Sequence, residues 1–89
     1  MKTARPLTAL QAQTLGVVRD FGPVDAGEVA RNLLVSDSSA RSALASLERR
    51  GYVDACYTGH RYRGRAYTCT EKGEVAYTGE FGEEEEGDA

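Results

Sequence analysis

Residues 60–65 read HRYRGR, which places three arginines and the chain's single histidine within six positions. Guanidinium groups at this density suit a polyanion, because each carries a permanent charge and a planar fork of donors that pairs with phosphate or with the edge of a guanine. A second run, 36-SDSSARS-42, sets four serines and Arg41 together. Its small hydroxyls and backbone N–H groups let a phosphate or a base edge approach closely. A third set, Cys56, Cys69 and His60, raises metal or redox-sensor chemistry. Three candidate ligands without a fourth or a recognisable spacing are a weak metal signal, and thiols on strands ordinarily behave as small hydrophobes. No Ser/His/Asp constellation, paired-carboxylate cleft or phosphate-cradling glycine loop is present, so neither enzymatic activity nor a cofactor is expected.

The charge of the chain conceals its basic part. The net value over 89 residues is −3, but residues 80–89, EFGEEEEGDA, hold six acids and no base. The remainder has eleven bases against eight acids, or +3, and within 36–66 the six arginines Arg41, Arg49, Arg50, Arg61, Arg63 and Arg65 face only Asp37, Glu48 and Asp54. A glycine-punctuated acidic run buries too little apolar area to offset its ordering entropy, so 81–89 is expected to be a disordered tail and 1–6 a flexible N-terminus. The tail serves solubility, folds over the basic face in competition with a polyanion, or docks a basic partner. No window approaches the roughly 18 apolar residues of a membrane span, so a soluble cytoplasmic protein is expected, and two cysteines without a close pair fit a reducing compartment.

The elements that must position these residues follow from periodicity. Leu10, Thr14, Leu15, Val18 and Phe21 recur at helical spacing after Thr8, a plausible N-cap, and Gly22-Pro23 ends that helix. Asp25 and Glu28 form a capping box that starts a second helix, with Ala26, Val29, Ala30 and Leu33 facing in and a turn at Leu34 and Val35. A third helix, 36–50, buries Ala40, Ala43, Leu44 and Leu47 and stops at Gly51, so its opposite face carries Ser38, Arg41, Ser42, Ala45 and Arg49. Residues 52–57 and 65–70 read as antiparallel strands joined by the basic loop, and a short helix over 74–81 turns Val75, Ala76 and Tyr77 inward. This order is that of a winged helix-turn-helix, an α+β fold in which a three-helix bundle carries a β-hairpin wing and a short C-terminal helix. The domain spans 7–80.

With that order established, the chain resembles MarR-type winged-helix proteins. The resemblance rests on LTALQAQTLGVV (7–18), on VDAGEVARNLLVSDSSARSALASLERRGYV (24–53), whose LERRGYV is its most specific string, and on RAYTCTEKGEVA (65–76). Cys69 departs from it, standing where such proteins usually carry a large apolar residue, and the chain lacks the long flanking helices through which full-length members dimerise. The resemblance implies a small transcriptional regulator that binds specific double-stranded DNA, with helix 36–50 in the major groove and the wing 58–65 on the backbone or in the minor groove. Ser36, Ser38 and Ser39 would then meet phosphate or base edges, Arg41 and Ser42 would read bases, and Arg49 would reach phosphate. His60, Arg61, Arg63 and Arg65 would lie over the backbone or minor groove, with Tyr62 on sugar. A homodimer through the first or last helix, with Tyr77 and Phe81 as contacts, is one expectation. A protein partner on the acidic tail or C-terminal helix is the other, and a winged-helix protein-interaction module without specific DNA binding is the alternative function.

Overall fold

The computed structural model describes residues 6–56 and 65–81. His60, Arg61, Tyr62 and Arg63, together with residues 1–5 and 82–89, lie outside the described residues, and so do the expectations placed on them. Among the described residues, α1 (Ala9–Phe21), α2 (Ala26–Leu33) and α3 (Asp37–Arg49) precede a hairpin of β1 (Val53–Cys56) and β2 (Ala66–Cys69), and α4 (Glu71–Phe81) follows. The fold is an α+β winged helix.

Each of the first three helices begins where a side chain satisfies N–H groups that the helix itself cannot. The Thr8 hydroxyl accepts from the Gln11 amide at 3.1 Å while Gln11 Oε1 accepts from the Thr8 amide at 3.1 Å. Asp25 and Glu28 repeat this reciprocal arrangement at 2.8 and 3.0 Å. Ser36 Oγ accepts from the Ser39 amide at 3.1 Å and so starts α3. Between α2 and α3 the chain turns through Leu34, a leucine in the left-handed region (φ 60°), and the Val35 amide returns to the Ala30 carbonyl at 3.0 Å. Gly51, at φ 81°, ends α3, where the missing side chain removes the steric penalty.

The core lies where the three helices meet the hairpin. Leu15, Val18, Val29, Ala40, Leu44, Leu47 and Val53 are buried to 1 % exposure or less. Each such Leu or Val contributes roughly 1.5–3 kcal/mol relative to an exposed position. Val53 pairs with Cys69 and Cys56 with Ala66, and Val24 adds a bridge to Tyr67 through bonds of 3.1 and 2.8 Å. The sheet is thereby tied to the start of α2.

Two expected core positions are corrected. Phe21 is 61 % exposed: it keeps the helical phase of α1 but falls on the last residue, beside an open groove shared with Val17, Leu33 and Tyr77. Val75 is 69 % exposed. The reason is that α4 starts at Glu71 rather than Glu74, and its inner face is Gly73, Ala76 and Tyr77. Thr70 starts this helix, its hydroxyl accepting from the Gly73 amide at 3.0 Å and donating to the Gly51 carbonyl at 2.7 Å. Tyr77 is half-buried, in keeping with an inward position, because Gly16 leaves a notch in α1 that its ring fills. Arg19 lies over the same ring at 4.9 Å and bonds Glu74 at 2.9 Å.

Candidate nucleic-acid interface

The amphipathic pattern of α3 decides which of its side chains face outward. Ala40, Ala43, Leu44 and Leu47 are buried, so the line directly opposite, at 100° per residue, runs through Ser38, Ser42, Ala45 and Arg49. Ser38, Ser42 and Arg49 are exposed and Ala45 is half-buried. Ser46 closes the lower part of this ridge by accepting from Arg49 Nη2 at 3.2 Å.

The serines at the helix start divide into two groups. Ser36 and Ser39 are occupied with the helix itself, since Ser36 Oγ receives the Ser39 amide and donates to Ser39 Oγ at 2.9 Å. Ser38 approaches Ser36 Oγ at 3.4 Å, a long contact that leaves most of its capacity unused. The Ser42 hydroxyl makes no hydrogen bond among the described residues.

Arg41 occupies the flank of α3 rather than its crest, about 70° round the axis from the outward line. It is exposed, and among the described residues its guanidinium has no hydrogen bond or ion pair. Its side faces an open groove of about 620 Å³ bounded by the first turn of α2, the flank of α3 and the root of β2. Asp25, Ala26, Gly27, Arg31, Asp37, Ala45, Arg65 and Tyr67 complete the lining. Arg65 enters from the hairpin and bonds Glu48 of α3 through Nη1 at 3.2 Å. Both side chains keep about a third or more of their surface in solvent, so the pair is worth at most about 1 kcal/mol and serves mainly to hold the wing root beside the helix. Arg31 was missed by sequence reasoning. The available signal was its position four residues after Gly27 on the polar side of α2, away from Val29, Ala30 and Leu33.

The structure brings Arg41 and Arg65 to one groove on one flank of α3, whereas Ser38, Ser39 and Ser42 line a second groove against the start of α1, and Arg49 is exposed further along the helix. The two cysteines are separated instead. Val53 faces Cys69 across the ladder and Cys56 is three residues further along β1, so the pleat turns Cys56 and Cys69 to opposite faces of the hairpin. Burial pushes the Cys69 thiol up, and the Glu74 carboxylate adds to that shift against the opposing effect of Arg19. Burial and the carboxylate both disfavour the thiolate that metal binding or redox exchange requires.

Comparison with known proteins agrees with this architecture. A family model described as MarR family matches residues 5–62. Among solved structures, FabT of Streptococcus pneumoniae in complex with DNA superimposes with a TM-score of 0.73 at 22% identity, over 83% of this chain and 52% of that one. The transcriptional regulator SlyA gives 0.75 at 23% identity, over 84% and 53%. PcaV of Streptomyces coelicolor, with its natural ligand, gives 0.75 at 19% identity, over 83% and 52%. The chain therefore spans about half the length of these structures. No curated protein matches it.

Proposed function

The chain belongs to the MarR family of winged-helix transcription regulators, and on that premise we propose that it binds specific double-stranded DNA, with α3 in the major groove and the hairpin against the adjoining backbone. The observation that carries this reading is the outer side of α3: an exposed ridge of Ser38, Ser42 and Arg49, flanked by Arg41 and Arg65, with short side chains toward its N-terminal end. A helix enters a major groove by such a face, because small residues allow close approach while arginine supplies charge and bidentate readout. In the sequence, His60, Arg61 and Arg63 stand just before Arg65. On this reading Ser38 and Ser42 meet the base edges, and the hairpin arginines neutralise phosphates.

The test is a titration of labelled duplexes selected from a random pool by the full chain, repeated over a range of salt. DNA binding predicts that log K falls linearly with log salt at about −0.9 per phosphate neutralised. Replacing Ser42 by a bulky residue should erase the preference among selected duplexes, whereas Arg61→Ala with Arg63→Ala should weaken binding to all of them alike. Weak, salt-independent binding by the wild type would defeat the reading and return attention to a protein partner.

A further inference from the structure

We propose that the groove between α2, α3 and β2 is a seat for one phosphodiester of the bound strand, with Arg31 as an additional DNA ligand and Arg41 acting as a backbone clamp rather than a base reader. The inference rests on the DNA-binding reading above and assigns the contacts within it.

Three arginines from three different elements converge on this groove: Arg31 from α2, Arg41 from α3 and Arg65 from the root of β2. Arg31 is six residues into an eight-residue helix, yet its charge is delivered to the start of that helix. Helical side chains lean toward the N-terminus, and Arg31 Nη1 lies 3.5 Å from where a Cβ on Gly27 would stand. Ala26, Gly27 and Ala45 contribute little or no side chain to the lining, which leaves room beside the guanidinium groups.

Two carboxylates also line the groove, and both sit where helix ends offset them. Asp25 is the N-cap of α2, its Oδ1 already accepting the Glu28 amide at 2.8 Å, and Asp37 is the first residue of α3. Each therefore meets the positive end of a helix dipole. Among the described residues, neither Arg31 nor Arg41 is paired with either acid. The groove is open to solvent and is lined from α3 to the root of β2, which fits a strand crossing from α3 toward the hairpin. Arg41, set on the groove side of α3, meets that strand before it meets a base.

The experiment compares the full-length wild type with Arg31→Gln, Arg41→Gln and Lys72→Gln. The Lys72 substitution removes the same charge away from the groove, where the ammonium lies 5.8 Å from the centre of the Tyr52 ring. Thermal melts first establish that each variant is folded. Affinity is then measured on a wild-type-selected duplex and on unrelated duplexes across a salt series. The expected result is that Arg31→Gln and Arg41→Gln each reduce the salt slope by about 0.9 and weaken every duplex equally, while Lys72→Gln leaves the slope in place. A normal wild-type slope that Arg31→Gln does not change would overturn the groove as a phosphate seat and leave DNA binding standing. Loss of sequence preference in Arg41→Gln would restore that residue as a base reader and overturn its assignment as a clamp. A wild type without salt-dependent binding would remove the DNA reading and this proposal together.

Discussion

Thr70 and Ser42 carry the same functional group and put it to opposite use. The Thr70 hydroxyl donates to the Gly51 carbonyl and accepts from the Gly73 amide, so both its capacities are spent inside the protein. Among the described residues the Ser42 hydroxyl spends neither, and it is exposed on α3. The arginines divide in the same way. Arg19 is held by Glu74, Asp20 and the Tyr77 ring, whereas Arg41 has no ion pair among the described residues. Thr70, Arg19 and Glu74 beside α4 are consumed in holding the fold, whereas Ser42 and Arg41 on α3 make no such bond among the described residues. Amino-acid type does not distinguish the two regions; the use already made of each donor and acceptor does.

If the contacts around α4 hold the fold, disturbing them should cost far more stability than disturbing the outer side of α3. A Cβ placed on Gly73 would fall against the Tyr52 carbonyl oxygen and within 2.9 Å of Cys69 Sγ, and neither backbone nor strand can retreat cheaply. Gly73→Ala should therefore cost about 3 kcal/mol, at the upper end of overpacking penalties, read as a lower urea midpoint at unchanged slope. A cost below about 0.5 kcal/mol would mean that α4 is not clamped to the end of α3. Thr70→Val comes next. It keeps the shape but strips the cap of α4 and the bond to Gly51, and should cost about 1–2 kcal/mol by the same measurement.

Thr14 probes the comparison from another side, because its hydroxyl is neither used nor accessible. It is fully buried and its Oγ1 has no hydrogen-bond partner among the described residues. A buried, unsatisfied hydroxyl is a desolvation cost without return, so the isosteric Thr14→Val should stabilise the protein by about 1 kcal/mol, raising the melting temperature by roughly 4–8 °C. A destabilised variant would show that this hydroxyl is in fact bonded.

The same distinction explains what could be read from the sequence. The capping box at Asp25 and Glu28, the apolar stripe Ala40, Ala43, Leu44 and Leu47, and the stop at Gly51 are local patterns whose physics is complete within a few residues, and each appears in the structure at the expected place. The inner face of α4 was not legible, because its tightest approach is made by Gly73, a residue with no side chain to signal burial, while the larger Val75 points away. Phe21 followed the helical period faithfully, but period alone does not say where covering elements end. On the candidate interface, the face of α3 was legible from its stripe. Arg31 was not, because only the folded chain brings α2, α3 and β2 around one groove.

The smallest expected effect on stability is the sharpest test of the comparison. Ser42→Ala and Arg41→Gln remove side chains that make no hydrogen bond or ion pair among the described residues and are exposed. Alanine also has a higher helix propensity than serine. Each variant should remain within about 0.5 kcal/mol of the wild type in urea denaturation, as surface substitutions away from caps and buried networks do. The same proteins should differ in DNA titration, Arg41→Gln by a uniform loss across duplexes and Ser42→Ala by a change in which duplex is preferred. Stability and binding would then be carried by separate sets of residues within one 89-residue chain. A stability loss in either variant as large as that of Thr70→Val would mean that the polar face of α3 is part of the fold rather than a surface kept for DNA.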